Sequence, residues 1–425
     1  MKIAIVGSGI AGNVVAYHLQ REHDVTVFEA ASHIGGHTHT HDVIVGERRF
    51  AVDTGFIVFN DWTYPNFIEL LGQLGVEHQE SSMSFSLRCQ QHDLEYNGTS
   101  LDGLFAQRRN LVRPAFWRML RDIVRFNREA PMLLGGDGTD IGLGDYLSRH
   151  GYSPEFRDGY IVPMGAAIWS TDPAQMLAFP AHYFVRFLHN HGMLSVNDRP
   201  TWRTIRGGSR AYVRKLTAAF ADRIRLNSPV VLLRRYPTHV MLQAAGAEAE
   251  RFDAAFLACH SDQALRLLET PNRLEREALG AIPYQRNDVV LHTDTRLLPR
   301  RPRAWAAWNY ALRPQARAGA SVTYNMNILQ RLDAPVTFCV TLNNSDAIDP
   351  AKIIQRLTYD HPLYTRAGVA AQALHKTVNG VERTYYCGAY WRFGFHEDGV
   401  VSALAALDHF RARFGHVQLP LRRLG

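Results

Sequence analysis

The chain has 425 residues, 46% hydrophobic and 20% charged, with only four cysteines. That composition excludes a disordered chain, a collagen-like repeat and a disulfide-stapled scaffold, and the length predicts two or three domains. The formal net charge is +7, but Lys2, Lys215, Lys352 and Lys376 are the only lysines among 47 basic residues. An arginine excess of this kind says little about a polyanionic partner, so the placement of the charge matters more than its sum. Cys89, Cys259, Cys339 and Cys387 form no C-x-x-C, which speaks against a zinc site or a redox dithiol. No apolar run reaches the ~18 residues that a membrane span needs. Structure begins at Lys2, which leaves no room for a removable leader and gives the expectation of a cytoplasmic protein, peripheral membrane contact aside.

Residues 2–6, Lys-Ile-Ala-Ile-Val, suit a strand buried on both faces of a parallel sheet. Gly7-Ser8-Gly9-Ile10-Ala11-Gly12 follows, then a helical stretch from Asn13 to Glu22, then Asp24–Glu29, a second β-rich run that ends in an acid. This is G-x-G-x-x-G in the context a dinucleotide site requires. Gly7 permits the tight turn, Gly9 lets a pyrophosphate approach the backbone, and Gly12 lets the helix pack on the strand. The helix N-terminus offers free amides and a partial positive charge. Glu29 lies 20 residues after Gly9, placed for ribose hydroxyls and unfavourable to a 2′-phosphate.

A second glycine cluster, Ala30-Ala31-Ser32-His33-Ile34-Gly35-Gly36-His37-Thr38, follows at once, and Phe50–Phe56 makes a strand ending in a turn at Thr54-Gly55. A simple NAD dehydrogenase would continue into another crossover helix instead. These stretches resemble the start of the flavin amine oxidase superfamily, where their counterparts contact FAD. The resemblance implies distant cofactor elements. Residues 223–232 are read as one strand with a hairpin partner near 239–243, placing the Val230 backbone against adenine. Residues 384–390 are read as a last buried strand and turn that includes Gly388. Asp398-Gly399-Val400 opens a helix whose end would place the Val400 N–H at flavin N1 and O2.

The wider chain is similar to one branch of that superfamily, the FAD-dependent oxidoreductases associated with cyclopropane-fatty-acid synthases. The residues that carry this are 53–60, 63–66, 83–86, 104–107, 386–391 and above all Phe393-Gly394-Phe395-His396-Glu397-Asp398-Gly399. The resemblance implies an α/β fold with a discontinuous Rossmann-like FAD-binding domain (1–60, 201–275 and 375–425) and an α+β substrate domain (61–200 and 276–374), the amine-oxidase-like two-domain architecture. His396 falls where amine oxidases keep one aromatic of a substrate cage. It is expected either to exchange protons beside the flavin or to contact the ring structurally. Trp391 is expected either to wall the same pocket or to pack in the core. No lysine matches the one many amine oxidases use near flavin N5.

In the middle of the chain, 288–292, 321–326 and 336–342 are strand candidates for a substrate-facing antiparallel sheet covered by helices. Pro163–Ser170 reads as an apolar loop, either lining a tunnel or packing in the core. Gly207-Gly208-Ser209 suits the return into the cofactor domain, and Ser209 has no partners for nucleophilic work. Seven arginines lie between Arg108 and Arg128. Helical spacing puts Phe116, Met119, Leu120 and Ile123 on one face and Arg118, Arg121, Arg125 and Arg128 on another, flanked by Trp117 and Phe126. Such a helix either lies on an anionic bilayer or is an ordinary surface helix. No nucleic-acid recognition motif is present. His37, His39 and His41 alternate as metal ligands would, but no carboxylate completes a set, and the resemblance gives His37 a flavin-phosphate contact.

The expected activity is FAD-dependent desaturation or isomerisation of a small-molecule or lipid substrate with an apolar acyl chain, by hydride transfer to flavin N5. Amine or polyamine oxidation is the alternative on the same scaffold. A flavin-bearing, non-catalytic partner of a cyclopropane-synthase-like lipid methyltransferase is the alternative from another class.

Overall fold

Lys2–Val6 is apolar because nothing polar can reach either of its faces: Ile3, Ala4 and Ile5 are fully buried. The computed structural model describes residues 1–136, 141–195, 197–312 and 321–415. Expectations for the last ten residues of the third cofactor-domain segment, 416–425, lie outside those described. The first strand sits at the centre of a five-stranded parallel sheet in the order Ile224–Arg225, Asp24–Phe28, Lys2–Val6, Ala254–Leu257, Thr384–Tyr386. Its strands thus come from both ends and the middle of the chain. Helix Ile10–Leu19 and the last helix, His396–Phe414, pack together on one face of it, sharing a core with Val14, Val15, Ala403 and Leu407.

Residues 223–232 are not one strand. Ile224–Arg225 joins the parallel sheet, the chain turns at Asn227 (φ +51°), and Val230–Arg235 starts a separate antiparallel sheet with Val240–Ala244 and Glu250–Phe252. A left-handed residue reverses the chain there, which β-propensity alone does not reveal.

The second large sheet has seven strands, in the order Ile353–Pro362, Tyr284–His292, Cys339–Leu342, Val322–Asn325, Trp308–Leu312, Phe85–Cys89, Leu94–Asn97. It is mixed rather than antiparallel, because Phe85–Cys89 pairs in parallel with Trp308–Leu312. Pro163–Ser170 is a helix, Val162–Trp169, not a loop. It continues directly from a π-helical turn, Arg157–Ile161, and stops where Ser170 adopts φ +55°. Pro163 therefore lies inside a continuous helical run, directly after the π-helical turn, where Val162 N–H bonds Arg157 O and the wider turn accommodates the missing proline N–H.

Helix Pro114–Glu129 buries Phe116, Met119, Asp122 and Phe126. Phe126 is therefore a core residue and not a flank of the basic face. Among the described residues no helix is long and apolar enough to cross a membrane.

The carboxylate of Asp53 ties the two-stranded hairpin Thr40–Val45/Arg48–Asp53 to the start of helix Arg210–Thr217 and to Gln330 at the end of the short helix Met326–Leu329. It accepts from Thr40 Oγ1 (2.5 Å), from Ser209 N and Oγ (2.9 and 2.7 Å) and from Gln330 Nε2 (2.9 Å), while Asp53 N–H donates to Gln330 Oε1 (2.9 Å). Burial pushes its pKa up to about 6 despite these donors. Ser209 is consumed in this network, which gives it a structural use.

Candidate active site

The glycine turn is built as the motif demands. Gly7 has φ +102°, and a Cβ there would stand 2.9 Å from the Ala258 carbonyl oxygen. A Cβ on Gly12 would stand 1.9 Å from Gly7 O, so only glycine lets the helix lie this close to the strand. Asn13 N–H is the first to bond within the helix, to Gly9 O at 3.0 Å, which leaves the amides of Ile10, Ala11 and Gly12 uncommitted. Gly9 is different: nothing lies within 4 Å of where its Cβ would be. That open space belongs to a cavity of about 1090 Å³. It lies at the upper end of the ~300–1,000 Å³ typical of ligand sites, room for a ligand as long as a dinucleotide.

Gly7, Gly9, Ile10 and Ala11 line this cavity, with Glu29, Ala30, Gly35, Gly36 and His37 beside them and Thr54, Gly55, Val230 and Gly388 further along. Ser8 is fully buried; its N–H and Oγ donate to Glu29 Oε2 (2.8 and 2.6 Å), and Ala31 N–H donates to Oε1 (2.8 Å). Glu29 is thereby fixed at the end of its strand with lone pairs left for hydroxyls. Gly36 (φ +59°) approaches Gly9 so closely that a Cβ on it would stand 3.1 Å from Gly9 Cα. His37 lines the cavity with its Nε2 buried and unpartnered. Desolvation and the neighbouring His361 and His260 hold its pKa well below the usual value, so the ring is neutral. An orphaned ring nitrogen and an uncovered glycine amide cradle are what a bound diphosphate would satisfy. The residues present fit a dinucleotide.

Thr38 does not line the cavity. Its Oγ1 bonds Tyr212 OH (2.7 Å) and His396 Nε2 (3.3 Å), and Tyr212 OH bonds the same His396 Nε2 at 2.6 Å. The His396 ring does reach the cavity and stacks on Phe56, with centroids 3.6 Å apart and planes 9° apart. Burial lowers its pKa to about 3, so His396 is a neutral ring with a fixed orientation.

At the start of the last helix, Gly399 N–H already bonds Phe395 O (3.2 Å). The Val400 amide lies inside the helix, so the uncommitted amides are those of His396, Glu397 and Asp398. Gly394, Phe395 and His396 line the cavity, whereas Asp398, Gly399 and Val400, expected at the cofactor, do not. Asp398 accepts the Phe395 N–H (2.9 Å), and Gly399 packs against Ile10. Trp391 is likewise absent from the cavity wall. It is 4% exposed and packs against His375, with ring centroids 4.6 Å apart.

Sequence reasoning missed much of the rest of the wall. Trp169, Phe187, Tyr364 and Phe393 form an aromatic group there, with Tyr183 stacked behind Tyr364 at 5.5 Å. Only Trp169 and Phe393 lay in stretches that had drawn notice; nothing local marks the others. Tyr96, Tyr160, Met164, Ile168, Trp308 and Tyr324 line the same cavity. Among the described residues no group of three or more His, Cys, Asp or Glu is arranged to hold a metal ion. His39 stacks on His33 instead, at 3.9 Å.

Residues 10–311 match the model of a family described as flavin containing amine oxidoreductase. Solved structures share the fold at low identity. A cyclohexylamine oxidase from Brevibacterium oxydans IH-35A is 16% identical over 97% of this chain and 99% of its own, with a TM-score of 0.70. A CLA-producing fatty acid isomerase from P. acnes is 17% identical over 97% and 98%, with a TM-score of 0.66. A putative protoporphyrinogen oxidase from Exiguobacterium sp. 255-15 is 15% identical over 97% and 99%, with a TM-score of 0.69. No curated protein matches the chain.

Two measurements test this site. Gly9→Val places its Cβ in empty space, so the cofactor-free protein keeps its melting temperature, while cofactor affinity falls about 100-fold (~2.7 kcal/mol) as titrated by flavin fluorescence. Asp398 carries a pKa raised by burial from its usual 3.8 to about 7. A raised folded-state pKa means stability that is full below the unfolded value and is lost as pH climbs through the folded one. Relative to Asp398→Asn, the wild type therefore loses roughly 2–4 kcal/mol between pH 4 and pH 7, read from paired denaturation curves.

Proposed function

Because the chain belongs to the flavin containing amine oxidoreductase family, which makes it an FAD-dependent oxidoreductase, we propose that its substrate is an apolar acyl chain that it desaturates or isomerises. The observation that carries this reading is the apolar share of the cavity wall, to which Tyr96, Tyr160, Met164 and Ile168 contribute. Among the described residues, the carboxylates that line the cavity are those of Glu29 and Asp360. Glu29 is engaged by Ser8 and Ala31, and Asp360 lies close enough to His260 to raise that ring's proton affinity. Both carboxylates are thus already engaged, so an ammonium group entering the cavity would lose hydration with no counter-charge of its own. A hydrocarbon chain would lose nothing. That a fatty acid isomerase has this fold supports the same reading.

FAD supplies the centre that accepts a hydride from carbon. The chain's own residues do the remaining work. The uncovered backbone at Gly9 and Gly36, with His37, would hold the diphosphate. Tyr212 and Thr38 hold the His396 ring against Phe56 in one orientation. Trp169 and Phe393 exclude water, which strengthens every polar contact in the cavity. A ring whose pKa lies near 3 is a weak proton acceptor at neutral pH, so His396 suits orientation rather than proton removal.

Amine oxidation is favoured by one observation of its own. Trp169, Phe187, Tyr364 and Phe393 offer aromatic faces to the cavity, and such faces attract cations. Anaerobic mixing separates the two. The oxidised-flavin absorbance bleaches with acyl lipids and persists with a panel of mono-, di- and polyamines; bleaching by an amine and not by lipid would overturn the proposal. In the same assay, wild type and His396→Gln show pH profiles of the same shape. An inflection near 6.5 in the wild type alone would restore His396 as a titrating catalyst.

A further inference from the structure

The helix Pro114–Glu129 has an outward face of unusual composition. At helical spacing it presents Trp117, Arg121, Val124 and Arg128, and the 3-10 turn that follows, Ala130–Gly135, adds Met132. The order is apolar, basic, apolar, basic, apolar. All of these are open: Trp117 is 49% exposed, Val124 66% and Met132 75%, and the side chains of Arg121 and Arg128 are 71% and 80% exposed. Leu111 and Val112 extend the apolar surface at the helix start. Trp117 Nε1 donates to Leu111 O (2.9 Å), which holds its ring beside them.

Ordinary surface helices separate their apolar and basic faces, the apolar one turned to the core. This helix has such an inner face already, through Phe116, Met119 and Phe126. The exposed apolar side chains are therefore additional to those the core uses. The acids nearby do not cancel the charge of the stripe. Asp122 turns inward, 1% exposed, and accepts Ser153 N–H (2.9 Å). Glu129 is held by Arg125 at 3.0 Å, and Arg118 pairs with Glu155. Arg128 reaches a Glu129 oxygen only at 3.5 Å near solvent, where such pairs contribute little, and Arg121 reaches the buried Asp122 only at 3.6 Å while its own side chain stays open.

We propose that this stripe docks the protein on the surface of an anionic phospholipid bilayer. Basic groups meet the phosphates while Trp117, Val124 and Met132 enter the headgroup layer. Charge complementarity selects the occupant, since a protein partner would call for apolar residues gathered into one patch, ringed by charge. The position also suits lipid access. The inner face of the helix packs on Tyr96, its Phe116 ring 5.9 Å away, and Met119 abuts Gly159 next to Tyr160; both tyrosines line the cavity. The docking itself needs no turnover, so it stands or falls apart from the acyl-chain reading.

The test is sedimentation of the FAD-loaded full chain with phosphatidylglycerol–phosphatidylcholine vesicles and with phosphatidylcholine vesicles alone. Wild type pellets with the former, and less so as salt is raised. Arg121→Gln/Arg128→Gln partitions about 30-fold more weakly, at ~1 kcal/mol for each basic residue at the surface. Trp117→Ala/Val124→Ser also partitions more weakly, with flavin absorbance and melting temperature unchanged in both variants. Wild type left in the supernatant at low salt overturns the proposal, as does an arginine variant that binds like wild type. Loss of a self-associated species in the Trp117/Val124 variant, without any vesicle binding by wild type, also overturns it and assigns the stripe to a contact between copies.

Discussion

One buried carboxylate holds the molecule's distant segments in register. Asp53 receives hydrogen bonds from Thr40, from Ser209 and from Gln330, positions spread over most of the chain. Its burial costs free energy, as its elevated pKa records, and the donors around it offset that cost only when all are in place. A network of this kind has one good arrangement and many poor ones. It therefore sets the hairpin 40–53, and with it the Thr54-Gly55 turn, against the helix that carries Tyr212. Tyr212 in turn orients His396. The chemistry of the cavity is downstream of this one desolvated group.

Desolvation also decides the character of the cavity's histidines. His37, His361 and His396 all sit below their ordinary proton affinity, chiefly because protein atoms replace water around them. They are neutral donors and acceptors rather than cations. A neutral ring costs less to bury than an imidazolium ion, which would demand a counter-ion or water.

The nucleotide end was legible because its constraints are local. Gly7, Gly9, Gly12 and Glu29 sit within one strand–turn–helix–strand unit, and each has a backbone or charge reason that the spacing alone expresses. What failed was non-local. The break at Asn227 depends on a left-handed residue joining two sheets. Pro163–Ser170 reads as a loop because proline and glycine are turn residues, but here they open and line a buried helix. His396 falls by motif spacing where amine oxidases keep a cage aromatic, whereas Trp391 reads either as pocket wall or as core; tertiary packing sends Trp391 to the core beside His375 and brings His396 to the cavity. Tyr364 and Phe187 carry no local mark at all. They become cavity residues because the seven-stranded sheet and the helical layer meet there.

The parallel sheet has a bearing on how the chain acquires its shape. Its central strand, Lys2–Val6, emerges first from the ribosome, but its neighbour Ala254–Leu257 follows some 250 residues later, and the outermost strand, Thr384–Tyr386, later still. At ~5–20 residues per second, the nascent edge waits tens of seconds with its amides and carbonyls unpaired. An exposed apolar edge is a template for the wrong partner. The molecule thus bears its greatest risk of misassembly during synthesis, before any cofactor has a cradle to enter.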